Sequence, residues 1–274
     1  MRTPRFALVT TFLLPFVLAA APAYQDLTRR EATPFPIGEQ LVYGVRWDPP
    51  WYFFFLPTMD AGEVNLKLEG ETEYHNKKAL KILLLAQSSG ALARMAGMKI
   101  EDEFVFYTEP KTLCALGVSR KIREGKRKRH IEVEYLRETN QLHILEIDES
   151  VTPPKVKKDE IKDNVPSCIQ DPLSALYSFR TSQLRVAHLQ TFVIGYDDRI
   201  KEVSSRVEKQ EIIETPVGKF PAWKVTTISL MGGLFKEGGQ FRIWFSADEK
   251  KIPLQFEIKV RLGKVLGKLE QVKY

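Results

Sequence analysis

The heptapeptide Gly62-Glu63-Val64-Asn65-Leu66-Lys67-Leu68 sets the fold class of this chain. Its apolar residues alternate strictly with polar ones, so in an extended chain the two kinds point to opposite faces. This period of two is the pattern of a β-strand with one buried face. Because the alternation recurs over most of the chain, the sequence predicts a mainly β protein.

Further strands are predicted on both sides of residues 62–68. Their connections are short and rich in turn formers, for example Asp197-Asp198 and Pro216-Val217-Gly218. Short connections make successive strands antiparallel neighbours. About a dozen such strands predict a large antiparallel curved sheet that forms an open barrel or half-barrel. The predicted strands are 41–47, 78–86, 104–107, 142–147, 191–195, 199–207, 210–214, 222–229, 240–245, 254–260 and 265–272, with a hairpin over 120–134 and an exposed loop or edge over 150–163.

One helix is predicted near residues 171–181. Asp171 is a suitable N-cap, and Pro172 is suited to the first helical position. Leu173 and Tyr177 then share one face at helical spacing. We therefore expect this helix to pack on the curved sheet.

The N-terminus predicts export. Arg2 and Arg5 precede an apolar run over 6–18, and Ala21-Pro22-Ala23 offers a small-residue cleavage site, which is the layout of a secretory signal peptide. A retained membrane anchor is the alternative, but the apolar stretch is shorter than the about 20 residues of a spanning helix. We expect a periplasmic or otherwise secreted protein after cleavage near Ala23. The chain is thereby divided into a signal peptide (1–23), a flexible leader (24–34) and a single antiparallel β domain (35–274).

The composition fits an exported globular protein. Hydrophobic residues make up 43% of the sequence and charged residues 28%, and the formal net charge is +6. The first value is enough for a real core, and the second is typical of a soluble protein. Export argues against nucleic acid as a partner of this mildly basic chain.

Cys114 and Cys168 are the two cysteines. In an oxidising compartment an even pair is a candidate disulfide. The bond would close a loop of about 55 residues and stabilise the fold by roughly 4 kcal/mol. Two separate buried thiols are the alternative.

The sequence predicts neither a metal or other cofactor nor an enzymatic activity. The four histidines are scattered and have no ligand spacing. There is no G-x-S-x-G, no H-E-x-x-H and no phosphate-cradling loop. Glu101 and Glu103 share a strand face, but such pairs are commonly just solvated. We therefore assign no catalytic residues.

Residues 47–57 form the most unusual segment. An uninterrupted aromatic run, Trp51-Tyr52-Phe53-Phe54-Phe55, lies between prolines that disfavour an interior strand. An exposed loop of this kind would suit a lipid or a membrane interface. The alternative is a lid that folds back over the core. The residues proposed to line or border a ligand cavity are Trp51, Phe53, Phe54 and Phe55.

Two other apolar segments are candidates for the same rim. Residues 230–235 contain two consecutive glycines, which predict a flexible rim or, alternatively, a hairpin loop or bulge. Residues 91–98 contain methionines, which adapt to varied ligand shapes but at helical spacing also form ordinary core. The candidates are Leu230, Met231, Leu234, Phe235, Met95 and Met98.

A basic run occupies residues 120–129, with seven positive charges. In an exported protein such a run predicts contact with an anionic lipid headgroup or membrane surface. Arg127, Lys128 and Arg129 are the candidates for that contact. The alternative is a hairpin that uses charge to resist edge-to-edge pairing.

Arg180 lies at the end of the predicted helix. It would either bind an acidic ligand or neutralise a core carboxylate such as Glu39. We favour the second role, because arginine is the usual partner of a buried carboxylate.

Five motifs in order resemble domain-of-unknown-function family 3108, a family of exported bacterial proteins. They are 35–43 (FPIGEQLVY), 61–63 (AGE), 171–180 (DPLSALYSFR), 215–220 (TPVGKF), and 243–248 (IWFSAD) with 252–254 (IPL). The last motif is also distantly similar to periplasmic lipoprotein carriers, which have an open antiparallel barrel and a helix plugging an apolar cavity. The family motif contains no catalytic residues to carry over, and we assign structural roles to Glu39, Tyr43, Asp171, Arg180, Trp244, Asp248 and Pro253.

These features together predict a periplasmic, non-catalytic protein that binds or carries a hydrophobic or amphiphilic envelope molecule, such as a lipid or a lipoprotein-like ligand. The alternative is a structural or protein-interaction component of the cell envelope with a fully packed core. The two differ in one observable, a remaining apolar cavity. The sequence indicates no oligomeric state.

Overall fold

Fourteen strands, one α-helix and a short 3₁₀ helix make up the regular structure of the described residues. The computed structural model describes residues 35–53, 55–90, 93–94, 99–196, 199–228, 241–260 and 263–274. The strands are β1 (Gln40–Asp48), β2 (Met59–Tyr74), β3 (Lys77–Ser88), β4 (Glu101–Thr108), β5 (Ala115–Glu124), β6 (Arg127–Leu136), β7 (Gln141–Asp148), β8 (Lys155–Lys162), β9 (Leu189–Tyr196), β10 (Arg199–Thr215), β11 (Gly218–Ile228), β12 (Phe241–Ser246), β13 (Pro253–Lys259) and β14 (Lys264–Lys273); the α-helix is α1 (Pro172–Arg180), and the 3₁₀ helix is Trp51–Phe53.

All fourteen strands belong to one antiparallel sheet, as predicted. Its order is β8-β7-β6-β5-β4-β3-β2-β1-β14-β13-β12-β11-β10-β9. The sheet therefore consists of two meanders, β1 to β8 and β9 to β14, which join where β1 pairs with β14. In that join Gln40 lies opposite Lys273 and Asp48 lies opposite Lys264. The sheet does not close into a barrel by strand pairing.

One predicted interruption is wrong. The stretches 199–207 and 210–214 are parts of a single strand, β10. The polar residues between them carry a bulge, which shifts the pairing with β11 between Val207 and Lys209. A bulge adds a residue without ending the strand, so the polar gap does not mark a turn.

The predicted exposed loop or edge over 150–163 contains the edge strand β8. Six of its eight residues are lysine, aspartate or glutamate, and most of them are exposed. Charge on an unpaired edge discourages association with another strand.

Helix α1 lies in the connection that crosses the sheet. Since β8 and β9 are consecutive in sequence but occupy opposite edges, the chain between them must pass over one face. The helix packs against β9 and β4 on that face. Phe179 stacks on Phe245 of β12, with ring centroids 5.5 Å apart, and Tyr177 belongs to the larger core cluster around Leu41 and Leu68. The predicted packing of the helix on the sheet is confirmed.

The residues just before α1 form backbone hydrogen bonds with both meanders, with β5 of the first and with β9 of the second. The Ala115 N–H of β5 donates to the Ile169 carbonyl at 2.8 Å. On the other side Gln170 exchanges two backbone hydrogen bonds with β9, through Val193 and Gly195, both at 2.8 Å. Residues 169–170 thus bridge β5 and β9 where strand pairing does not.

A disulfide joins Cys114 and Cys168 beside this bridge, with the two Cα atoms 5.1 Å apart. It pins the residue before β5 to the residue before the bridge. The predicted bond is therefore present in the structure.

Candidate functional site

An apolar cleft of about 350 Å³ opens at one end of the sheet. It is formed by the β10–β11 turn, the β12–β13 connection and the last part of β14. Its wall is mostly apolar, with one polar corner. The lining residues are Val217, Phe220, Ser246, Asp248, Ile252, Leu254, Leu269 and Val272.

The polar corner of the cleft is a rigid turn. Ser246 Oγ donates to Asp248 Oδ1 at 2.6 Å, and the same oxygen accepts from the Lys251 N–H at 3.1 Å. The Ile252 N–H donates to Ser246 Oγ at 2.8 Å. These bonds position Ile252 and Leu254 in the wall and explain the spacing of the 243–254 motif.

Tyr43 and Pro253 join this turn to β1. Tyr43 Oη donates to the Pro253 carbonyl at 2.7 Å. Burial raises the pKa of the Tyr43 hydroxyl well above its usual value, while Arg180 pulls it in the other direction. The hydroxyl therefore stays protonated at neutral pH and can donate this bond.

Arg180 and Glu39 form a buried ion pair beside the cleft. Two parallel hydrogen bonds join them, Nη1 to Oε1 at 2.6 Å and Nη2 to Oε2 at 2.9 Å, and each side chain is 1% exposed. Nη2 also donates to the Lys250 carbonyl at 3.2 Å. Burial lowers the pKa of Arg180, but the bonded carboxylate more than offsets this and raises it.

Aromatic rings cover the guanidinium. Its central carbon lies 4.9 Å from the Phe35 ring centroid and 5.1 Å from that of Tyr177. Arg180 therefore links helix α1 and the approach to β1 to the β12–β13 connection, which forms part of the cleft wall. The structure brings together the two residues that we paired from the sequence, and no external acid is needed to neutralise Arg180.

Asp171 caps α1 inside the protein. Its Oδ1 accepts from the Leu173 and Ser174 N–H groups, both at 2.8 Å, and its own N–H donates to Ser174 Oγ at 2.9 Å. Despite these bonds, burial raises the pKa of the Asp171 carboxyl to about 6. The cap is thus a titrating group within the core.

Asp171→Asn is expected to change the pH dependence of stability. A carboxyl whose pKa is raised from 3.8 to about 6 on folding binds its proton more tightly in the folded state. Its favourable contribution is therefore complete below about pH 4 and is lost as the pH rises through about 6. Relative to D171N, the unfolding free energy of the wild type should fall by on the order of 2 kcal/mol over this range. Urea unfolding measured across it checks this, and curves that stay parallel would contradict it.

Trp244 and Asp248 of the closing motif have different surroundings. Asp248 belongs to the polar corner, whereas Trp244 Nε1 donates to Glu211 Oε1 of β10 at 2.9 Å. Lys224 Nζ lies 6.0 Å from the Trp244 ring centroid. Trp244 therefore holds β10, β11 and β12 together rather than lining the cleft.

A second concavity, of about 410 Å³, lies along the β2–β3 hairpin. Its wall is polar, so it does not suit an apolar ligand. The lining residues are Glu71, Thr72, Glu73, Asn76 and Lys78.

The aromatic segment lies at the opposite end of the sheet from the cleft. It follows the last residue of β1, whereas the cleft lies near the first, and the nine residues of β1 separate the two by about 26 Å. Trp51 is 88% exposed, Tyr52 48% and Phe55 67%. These exposures do not match a lid folded back over the core. Among Trp51, Tyr52, Phe53 and Phe55, neighbouring rings contact one another.

The three rim candidates that the structure describes do not line the cleft. Trp51, Phe53 and Phe55 lie at the far end, and the other candidates fall outside the described residues. These candidates are Phe54, Met95, Met98, Leu230, Met231, Leu234 and Phe235. The predicted signal peptide (1–23) and leader (24–34) also lie outside the described residues. Sequence reasoning missed the cleft because its wall comes from two connections and a strand that are apolar only at isolated positions.

The basic run forms the β5–β6 hairpin, which turns at 125–126. Arg127 pairs with Glu124 at 2.8 Å, and Arg129 pairs with Glu146 at 2.5 Å. Lys128 is exposed and forms no ion pair with the part of the chain that the structure describes. The paired arginines contribute to hairpin structure, whereas the lysine remains available to solvent.

A serine–histidine–glutamate cluster lies on the same hairpin and was not singled out from the sequence. Ser119 Oγ donates to Glu132 Oε1 at 2.6 Å, and His130 Nε2 lies 2.5 Å from the same oxygen. A catalytic relay places the hydroxyl and the carboxylate on opposite ring nitrogens. Here both contact the Nε2 side, since Ser119 Oγ also lies 3.3 Å from Nε2. The cluster is therefore not arranged to activate Ser119.

Glu101 and Glu103 each form an exposed ion pair, with Lys99 at 2.7 Å and with Lys121 at 2.9 Å. Among the described residues, no group of three histidine, cysteine, aspartate or glutamate side chains could hold a metal ion. Within the same part of the chain, the helices are too short or too polar to cross a membrane.

Comparison with known proteins places the chain among proteins of unknown function. The family model described as "Protein of unknown function (DUF3108)" matches residues 42–270. No curated protein matches the sequence. Among the solved structures that resemble this chain is the beta-barrel-like protein of domain of unknown function DUF1849 from Brucella abortus. The two are 10% identical in sequence, and the TM-score is 0.58; the match covers 87% of this chain and 98% of that chain.

A second solved structure is a putative exported protein with a YmcC-like fold from Bacteroides fragilis. It is 11% identical, with a TM-score of 0.34 over 88% of this chain and 98% of that chain. The similarity to the Brucella abortus protein extends to the fold alone.

Proposed function

The chain belongs to the DUF3108 family, whose function is unknown, and from the geometry of the cleft we propose that it is an exported, non-catalytic protein that binds the apolar part of a hydrophobic or amphiphilic envelope molecule. The observation that carries this proposal is the apolar cleft between the β10–β11 turn, the β12–β13 connection and β14. In a sheet whose interior were fully packed, these side chains would meet one another. Instead they leave a concave apolar surface open at the end of the sheet.

The size of the cleft limits its ligand. A volume of about 350 Å³ is at the lower end of the about 300–1,000 Å³ typical of small-molecule sites. This supports a single acyl chain or a comparably small amphiphile rather than a whole two-chain lipid. The Ser246–Asp248 corner is the polar group nearest to a bound headgroup, and its acceptors favour a donor such as a hydroxyl or an amide.

The cleft has a rigid frame. The buried Arg180–Glu39 pair and the Tyr43–Pro253 hydrogen bond hold the β12–β13 connection against β1 and α1. A preformed site loses less conformational entropy on binding than one that must be ordered by its ligand. The frame therefore supports binding, with no role for these residues in chemistry.

Val217→Phe tests the site by filling it. Val217 is half-buried in the lining, so a larger side chain should block the cleft without entering the packed core. Using protein purified from the periplasm of an expression host, we expect 1-dodecanol, whose hydroxyl can donate to the polar corner, to displace the dye ANS from the wild type. In V217F the affinity should fall by at least about tenfold, which corresponds to 1.4 kcal/mol.

Val156→Phe on the exposed edge strand β8 is the matched control, because it adds the same volume far from the cleft. It should bind like the wild type. Equal binding by V217F and the wild type would show that the ligand does not bind in this cleft. No binding by the wild type, together with an apo mass in native mass spectrometry, would favour the alternative of a structural or protein-interaction component.

A further inference from the structure

Several connections emerge at the end of the sheet opposite the cleft. The strand registers require it: Asp48 lies opposite Lys264, Gly62 opposite Ser88, and Glu103 opposite Lys121. The β1–β2 connection, the β3–β4 connection, the β5–β6 turn and the β13–β14 turn therefore share this end. Backbone bonds join neighbours within it, such as the Gly125 N–H donating to the Lys99 carbonyl at 2.8 Å.

Three aromatic side chains project from this end. Trp51, Tyr52 and Phe55 are all exposed, and Trp51 is the most exposed large hydrophobic residue that the structure describes. Soluble surfaces rarely present contiguous apolar groups of this size without a partner. Tryptophan and tyrosine are the side chains that favour the boundary between water and lipid.

Exposed lysines lie at the same end of the sheet as these aromatic residues. Lys126 and Lys128 lie at the β5–β6 turn, and Lys259 lies at the end of β13; all three are exposed, and none forms an ion pair with a described residue. Several acidic groups of the same end are paired with basic side chains. Asp60 pairs with Arg46, Glu101 with Lys99 and Glu124 with Arg127. The lysines are therefore an excess of positive charge around an apolar tip.

We propose that this end of the sheet, which we call the docking end, binds the surface of an anionic lipid bilayer. The aromatic rings would insert at the level of the headgroups, and the lysines would lie against lipid phosphates. Each lysine near an anionic membrane surface increases affinity by about fivefold. Apolar insertion and basic charge together provide the two contributions that stable peripheral binding requires.

An acidic protein would match the lysines equally well. It would not explain a tip of three exposed aromatic side chains on one connection. The observations therefore favour a bilayer. A protein partner would appear in the test below as failure to bind vesicles.

The test is co-sedimentation of the periplasmically purified protein with lipid vesicles. We expect binding to vesicles of phosphatidylcholine mixed with phosphatidylglycerol, weak binding to phosphatidylcholine alone, and weaker binding at higher salt. W51S/F55S should lower partitioning by at least about tenfold, because it removes most of the apolar contact. K126E/K128E should lower it by about tenfold or more and abolish the preference for anionic lipid.

Two exposed positions at the cleft end provide matched controls. Ile212→Ser removes an apolar side chain as exposed as Phe55, and Lys111→Glu reverses an exposed charge. Both should bind like the wild type, and thermal unfolding should show all variants folded, since surface changes have small effects.

The proposal is overturned if the wild type does not bind anionic vesicles, or if the controls reduce binding as much as the docking-end variants. It does not rest on the proposed function. V217F should keep full vesicle binding, so loss of dodecanol binding and loss of membrane binding are separate results.

Discussion

Replacing Arg180 with methionine is expected to lower the unfolding free energy by about 3–5 kcal/mol, because it leaves the Glu39 carboxylate without its partner in the interior. Both charged groups are almost fully removed from solvent. The substitution also removes the bond to the Lys250 carbonyl, which holds the β12–β13 connection. Urea unfolding followed by tryptophan fluorescence measures the loss.

Two variants separate the ion pair from general effects of losing an arginine. Arg46→Met breaks an ion pair with Asp60 in which both side chains are mostly exposed, and it should cost at most about 1 kcal/mol. Glu39→Gln combined with R180M removes both charges and should recover much of the loss, because no uncompensated charge remains. If R180M and R46M lower the unfolding free energy by the same small amount, the buried pair does not contribute more to stability than the exposed one.

Removing the disulfide is the second change with a large expected effect. In C114A/C168A the unfolding free energy should fall by about 4 kcal/mol, because a bond across 54 residues restricts the unfolded chain strongly. The effect reaches beyond the two cysteines. They flank the 169–170 bridge between β5 and β9, so local opening of that bridge should become easier.

Reduction of the wild type provides the control for this prediction. The unfolding free energy of the reduced wild type should fall as much as that of C114A/C168A, because both proteins lack the cross-link. The reduced wild type keeps its sulfur atoms, so an equal fall assigns the effect to the cross-link. Mass spectrometry after alkylation, with and without reductant, establishes the oxidation state. Alkylation of both thiols in the absence of reductant would refute the bond.

The sheet could be predicted from the sequence because the signals for its strands and turns lie within short stretches of the chain. Antiparallel hairpins need only an alternation such as that of 62–68 and a short turn, and both are visible along the chain. The split assigned within β10 shows the limit of this reasoning. A bulge at Val207–Lys209 has the polar composition of a turn, and only the pairing with β11 distinguishes the two.

The site was less predictable because its residues are distant in sequence. Phe220, Ile252 and Leu269 come from three separate segments, and none is unusual in its own context. The opposite error arose at Trp51 and Phe55. They were predicted to line or border the ligand cavity, whereas their position on the connection at the end of β1 leaves them exposed at the other end of the sheet. Arg180 could be paired with Glu39 because a charge on an apolar helix has few alternatives.

The pairing of β1 with β14 has a consequence for how the chain assembles. Each meander can form by local hairpins, but this join closes a loop of more than 200 residues; Tyr43 and the Pro253 carbonyl that it contacts are 210 residues apart. Contacts of such separation are entropically expensive and form slowly. Until they form, the two strands that end up at the centre of the sheet are unprotected edges, and β1 contains the apolar run 41–43. During folding, therefore, the stretch most exposed to mispairing is the middle of the finished sheet rather than its charged outer strand β8.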